Sequence, residues 1–146
     1  YALILDSDVE LKSAFIEEMY NFFDDDTYGI GFIFDLLTAN PAWSHYREMH
    51  NNTDIKYLAG TCCMISVKQY LNFYPFIHHG DCFMSTMIDI KNKGKTHLLK
   101  SFWPTANDIR KVVSHKGGYT WKKRKSAGLL QIEPEWDAPI KITSTD

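Results

Sequence analysis

The stretch YALILDSDVEL, residues 1–11, places two carboxylates directly after a run of mostly apolar residues. Tyr1 to Leu5 has the length and composition of a short buried strand. Burying an unpaired carboxylate is costly, so we expect Asp6 and Asp8 at the strand end, where they remain partly in water. On an extended chain, Ser7 between them points the other way. Two hard oxygen ligands at this spacing suit Mg²⁺ or Mn²⁺. The alternative is that either aspartate caps the helix that follows.

The composition is that of a globular domain. The chain has 146 residues, of which 45% are hydrophobic and 14% aromatic, so we expect one domain over residues 1–146 and no disordered chain. No apolar run reaches the roughly 20 residues needed to cross a bilayer. Because the sequence begins in the middle of a predicted strand, we expect a fragment of a longer protein.

The three cysteines predict free thiols. Cys62 and Cys63 are adjacent and alternate sides on a strand, which makes them poor partners for each other, and no Cys-x-x-Cys pattern includes Cys82. The simplest interpretation is a protein of a reducing compartment, either cytoplasmic or peripheral to a membrane.

The net charge of −2 conceals an asymmetry along the chain. Residues 1–90 carry 4 basic and 13 acidic side chains, whereas residues 91–125 carry 11 basic and 1 acidic side chain. An acidic half facing a basic half suits a metal site beside a phosphate-bearing ligand. A solvated basic face explains the same charges, and charge alone does not separate the two interpretations.

Predicted strands and helices alternate, which is typical of an α/β protein. Asp24-Asp25-Asp26 is expected to be a solvated loop that ends the first helix, and Gly94 is expected to cap the last one. From residue 102 onward the pattern weakens into loops. The predicted elements are a helix over 11–23, strands over 28–37 and 55–67, a short helix within 67–76, a helix over 81–91 and a strand over 96–100.

Two further clusters contain residues with catalytic chemistry. Asp81 follows His79 and Gly80 at the predicted start of a helix, where it serves either as a helix cap or as a general base. His115 follows an apolar pair and precedes two glycines, which allow close approach of the backbone. A lone histidine is more often structural than a metal ligand.

Together these stretches resemble the catalytic half of a GT-A glycosyltransferase, close to the large inverting family 2. The resemblance is carried in order by LILDSDVEL (3–11), YLAGTCCMISVKQYLNFYPF (57–76), HGDCFMSTMIDIKNKGK (79–95) and SHKGGYTW (114–121). It implies a GT-A-like, partial Rossmann-like sheet flanked by helices. It also implies that this chain is the C-terminal, metal- and acceptor-binding half, with the N-terminal nucleotide-binding part missing.

The resemblance also implies roles for single residues. Asp6 and Asp8 would hold Mn²⁺ or Mg²⁺ and the diphosphate of a nucleotide-sugar donor, with Asp8 the direct ligand. His115 would be a third metal ligand. Asp81 would remove the proton from the acceptor hydroxyl as its oxygen attacks the anomeric carbon, which inverts the configuration.

The basic run at 122–125 has several interpretations. Lys122 and Arg124 are candidates for contact with the donor diphosphate, and the run as a whole could instead bind an anionic acceptor or be a solvated surface. Trp121 and His79 are the candidates for acceptor binding. Trp43, Tyr46 and Trp103 could also stack on sugar rings, but aromatic residues are more often part of a core, and only Trp121 lies near His115.

Three alternatives from other classes remain open. The first is a non-haem Fe(II)/2-oxoglutarate oxygenase with His79, Asp81 and His115 as the ligands and Arg124 as the 2-oxoglutarate anchor. The second is a phosphatase of the haloacid dehalogenase type, although Glu10 stands where that motif has threonine. The third is a non-catalytic binding module with a transferase-like shape.

Overall fold

The computed structural model describes residues 1–35, 55–76 and 82–115. Their strands and helices mix along the chain, with a short 3₁₀ helix at Thr96–Leu98. The strands are β1 Ala2–Leu5, β2 Val9–Leu11, β3 Gly29–Asp35, β4 Lys56–Ile65, β5 Leu99–Trp103 and β6 Val113–His115. The helices are α1 Ile16–Asn21, α2 Val67–Tyr70, α3 Met84–Asn92 and α4 Ala106–Val112.

The central sheet has four strands in the order β1-β4-β3-β5. β4 pairs antiparallel with both β1 and β3, whereas β5 pairs parallel with β3. β1, β3 and β5 therefore run in one direction and β4 in the other. The described part of the chain is thus mixed α/β, a mixed four-stranded sheet flanked by helices, which confirms the predicted class. The carboxyl ends of β1, β3 and β5 share one edge of the sheet.

Each face of the sheet is covered by its own hydrophobic cluster. Adjacent residues of a strand point to opposite faces and so belong to different clusters. Cys63 packs with Met84, Met87 and Ile90 of α3 on one face. Its neighbour Cys62 belongs to a second cluster on the other face, with residues of α1 and α4. As predicted, the two thiols alternate sides and are free. Burial raises the pKa of Cys62 to about 12 and that of Cys63 well above its usual value, so both are protonated.

The first predicted helix is shorter than its pattern suggested. The prediction over 11–23 is wrong at both ends, because the chain forms β2 at Val9–Leu11 and the helix covers Ile16–Asn21 alone. β2 pairs with β6, so strand hydrogen bonds to a distant segment replace the local hydrogen bonds of a helix. Met19 is the buried residue of the helix. β1 is also less buried than predicted, since its residues are half-buried and Leu5 is exposed.

The later elements also differ from the predictions. The predicted strand over 96–100 begins three residues late, because Thr96–Leu98 is a 3₁₀ helix and β5 follows it. The loop predicted from residue 102 onward is wrong at Ala106–Val112, which is α4. A capping box begins this helix: the Asp108 amide donates to Thr105 Oγ1 at 3.2 Å, and the Thr105 amide donates to Asp108 Oδ2 at 3.1 Å. Within the described ranges, no helix combines the length and the apolar character needed to cross a bilayer.

The loop containing Asp24, Asp25 and Asp26 is exposed, as predicted, and an ion pair holds its first residue. Lys100 Nζ donates to Asp24 Oδ2, and Thr27 Oγ1 donates to Asp24 Oδ1 at 2.5 Å. These hydrogen bonds lower the pKa of Asp24 to about 2, and the bond from Lys100 has the largest effect. The contacts join the loop before β3 to β5.

The ion pair predicts a pH dependence of stability. The pKa of Asp24 is lower in the folded state than its ordinary 3.8, so its stabilisation is complete above about pH 4 and is lost as the pH falls towards 2. Between about pH 4 and pH 2, the free energy of unfolding of Lys100→Met should decrease less than that of the unmodified protein. Urea unfolding at each pH measures it. Lys68→Met, on exposed α2, is the matched control and should leave the slope unchanged. Equal slopes in all three proteins would contradict the assignment.

Candidate functional site

The acidic pair lies on a tight turn at the carboxyl end of β1. The Val9 amide donates to the carbonyl of Asp6 at 3.2 Å, which closes a turn with Ser7 and Asp8 at its centre. Aspartate and serine favour such turns because their side chains hydrogen-bond to nearby backbone. The extended conformation predicted here, with Ser7 pointing away, is therefore wrong. Asp6 is exposed and Asp8 is half-buried.

The helix-cap alternative for the acidic pair is also wrong. The next helix, α1, begins at Ile16, and its N-cap residue is Phe15, which makes no side-chain capping hydrogen bond. Asp6 and Asp8 thus lie at a strand end followed by a second short strand. Their carboxylates are close to each other in sequence and accessible to solvent, as a cation site at this edge requires.

The turn leads directly into the two-stranded sheet that contains His115. β2 pairs antiparallel with β6, with Val9 opposite His115 and Leu11 opposite Val113. The Lys12 amide extends this ladder by donating to the carbonyl of Val112 at 2.8 Å. The backbone of His115 therefore lies opposite the residue that follows Asp8, although more than 100 positions separate them in the sequence. The side chain of His115 lies outside the described set.

Two neighbouring residues of β4, Gly60 and Thr61, contact the start of α3 and the acidic turn. The Asp6 amide donates to the carbonyl of Thr61 at 3.2 Å. At the adjacent Gly60, an added Cβ would lie 2.5 Å from Cε2 of Phe83, so the Phe83 ring packs directly on this glycine. The centroids of the Phe83 and Phe76 rings are 4.3 Å apart. Phe76 and Phe83 thus pack together beside the strand position whose carbonyl binds the Asp6 amide.

The remaining predicted site residues are not described. Asp81, His79, Trp121, Lys122 and Arg124 lie outside the described residues, and their assigned roles stay predictions. The predicted helix start at residue 81 is wrong, because α3 begins at Met84 with Phe83 as its N-cap residue.

The charge of Asp6 reaches the neighbouring strand β4. Asp6 is close enough to Cys63 to contribute to the raised pKa of that thiol, after the larger effect of burial. No three His, Cys, Asp or Glu side chains come together as a metal site in ranges 1–35, 55–76 and 82–115. The oxygen ligands of Asp6 and Asp8 match the preference of Mg²⁺ and Mn²⁺, and they are only two of the ligands such a cation needs.

Two aromatic residues have positions that the sequence pattern does not reveal. Trp103, weighed as a sugar-stacking ring, is 5% exposed and packs edge-on against Phe15 at 5.2 Å, so it belongs to the core. The contact of Phe83 with Gly60 was missed. A signal was present, because a glycine inside a strongly apolar strand often indicates the close approach of another group.

Comparisons of the chain with models of known protein families, with curated proteins and with solved structures returned no match.

Proposed function

We propose that this protein is a metal-dependent glycosyltransferase that moves a sugar from a nucleotide-sugar donor to an acceptor hydroxyl with inversion. The observation that carries the proposal is the shared position of three elements at one edge of the sheet. The Asp6–Val9 turn, the backbone of His115 and the Phe83 end of α3 all attach there through the contacts described above.

The proposed roles follow from the chemistry of each side chain. Asp6 and Asp8, with His115, hold Mn²⁺ or Mg²⁺, which when bound supplies positive charge to the leaving nucleoside diphosphate. Asp81 lies two residues before Phe83 in the sequence, and it accepts the proton of the attacking hydroxyl. Lys122 and Arg124 add positive charge at the diphosphate, whereas Trp121 and His79 contact the acceptor.

The partners and location are proposed on the same basis. The basic run at 122–125 suits a phosphate-bearing acceptor as well as the donor diphosphate. Cys62, Cys63 and Cys82 form no disulfide, which suits a reducing compartment, in the cytoplasm or at a membrane surface.

Manganese binding tests the proposal directly. We expect Mn²⁺, titrated while the free ion is followed by electron paramagnetic resonance, to bind more tightly with a nucleoside diphosphate present. Asp8→Asn should weaken this binding about tenfold or more, because it replaces a charged ligand. Asp25→Asn removes the same charge from the exposed loop before β3 and serves as the matched control.

Two outcomes would contradict the transferase. One is equal Mn²⁺ affinity in the Asp8→Asn and Asp25→Asn variants. The other is binding of Fe²⁺ with 2-oxoglutarate that His79→Ala abolishes, which would support the oxygenase alternative instead.

A further inference from the structure

A surface groove of about 590 Å³ lies between the end of α2, the turn after α3 and the loop before β3. Its volume is within the range of roughly 300–1,000 Å³ of small-molecule sites. Phe73 and Leu98 contribute apolar side chains to its lining. The other lining residues are polar: Asp26, Gln69, Asn72, Lys93, Lys95 and His97.

The groove is distant from the Asp6–Val9 turn. Leu98 directly precedes β5, and its carbonyl accepts a hydrogen bond from the Tyr28 amide just before β3. The groove therefore lies where β3 and β5 begin, whereas Asp6 follows the carboxyl end of the parallel strand β1. The Asp6 amide donates to the carbonyl of Thr61, whereas the carbonyl of Tyr28 accepts from the amide of Ser66, five residues further along the same chain segment. At ~3.3 Å per residue, the two positions are about 17 Å apart along the strand direction.

The turn that holds the basic side chains has a defined geometry. Gly94 has a φ of 66° and ends α3. The Gly94 amide donates to the carbonyl of Lys91 at 2.8 Å, and the Lys95 amide donates to that of Ile90 at 2.9 Å. This pair of hydrogen bonds is the Schellman motif, in which glycine takes the left-handed position. The motif places Lys93 and Lys95 on either side of one rigid turn.

The two lysines differ in their partners. Lys93 Nζ donates to Asp89 Oδ2 at 2.9 Å and to the carbonyl of Asn72 at 2.9 Å, and it lies 5.2 Å from the centre of the Phe73 ring. In contrast, the side chains of Lys95 and His97 make no ion pair or hydrogen bond with another residue that the structure describes. The groove thus has one fixed ammonium group, plus an ammonium and an imidazole with unused donors.

We propose that this groove binds a small molecule that carries a phosphate monoester. Lys95 and His97 are the direct donors to its phosphate oxygens, whereas the ammonium group of Lys93 is already paired with Asp89. Asp26 is the single carboxylate of the lining, so a divalent cation finds one anionic ligand against several basic groups and is disfavoured. Phe73 and Leu98 accommodate the apolar part of the ligand.

A titration of the full chain followed by two-dimensional amide NMR tests the proposal. At constant ionic strength, we expect phenyl phosphate, a phosphate monoester with an apolar ring, to cause saturable shifts at the amides of Lys95, His97 and Leu98. Inorganic phosphate should cause the same shifts with weaker affinity, because it lacks the organic part, and equal affinities would identify the free ion as the ligand. Sodium chloride is the control for ionic strength.

Matched variants decide which residues bind. Lys95→Gln and His97→Gln should each weaken binding about tenfold, the effect of losing one charge-assisted hydrogen bond. Lys111→Gln, an exposed lysine of α4, should leave the affinity unchanged. Lys95→Arg keeps the positive charge and should retain most of the affinity. Retention in this variant would show that Lys95→Gln weakens binding through loss of the charge and not through misfolding.

Two results would overturn the proposal: shifts that never saturate, or full affinity in both glutamine variants. Asp8→Asn should bind phenyl phosphate normally, because the turn that contains it lies at the carboxyl end of β1, away from the groove. Failure of the proposed metal site would therefore leave this result intact, and the two proposals can fail separately.

Discussion

Replacing Gly60 with alanine is expected to destabilise the protein by about 1–3 kcal/mol, the usual cost of overpacking a closely packed site. The new Cβ would lie 2.5 Å and 2.9 Å from two carbons of the Phe83 ring, so the ring must move. Phe83 is 1% exposed and its ring is 4.3 Å from that of Phe76, which leaves little room for the movement. The free energy of unfolding in urea measures the effect.

A double-mutant cycle provides the control for this prediction. Phe83→Leu shortens the side chain that meets the new Cβ, so the Gly60→Ala/Phe83→Leu protein should be more stable than the sum of the two single effects implies. If the two effects simply add, Phe83 does not pack on Gly60. The same cycle bears on function, because Phe83 lies two residues after Asp81, and Gly60→Ala should also lower any transferase activity.

The parts of this fold that sequence patterns predicted are those with strong local signals. β3 and β4 are rich in apolar and β-branched residues, and the strand ending before Asp6 was identified for the same reason. α4 has a local signal too, since Thr105 and Asp108 form a capping box, but basic neighbours obscured its short apolar pattern.

The site was only partly predictable, because its contacts are between distant parts of the chain. β2 and β6 have three residues each, which is too short for a periodic signal, and their pairing joins Val9 to His115 across more than 100 positions. The pattern indicated Asp6 and Asp8 as strand-end carboxylates, yet it did not reveal the turn between them. The docking of Phe83 on Gly60 depends on how α3 packs against β4, which no local pattern encodes.

Replacing Met19 with alanine is expected to cost about 2–5 kcal/mol, as for other large-to-small changes at buried sites. Met19 is 0% exposed and is the buried residue of a helix with six residues. A helix this short is not stable by itself in water, so its position depends on packing against the sheet. Met19 packs there with Ile30, Met64 and Trp103. Urea unfolding of the full chain measures the loss.

The matched control lies on the same helix. Ile16 is 45% exposed, so Ile16→Ala should change the free energy of unfolding by no more than about 0.5 kcal/mol, the usual range for a surface substitution. Both variants introduce alanine, which favours helix, so local helix propensity cannot explain a loss confined to position 19. Equal losses at the two positions would mean that α1 is not held through Met19. The cluster that covers this face of the sheet would then need a different anchor, with Phe15 the next residue to replace because its ring meets Trp103.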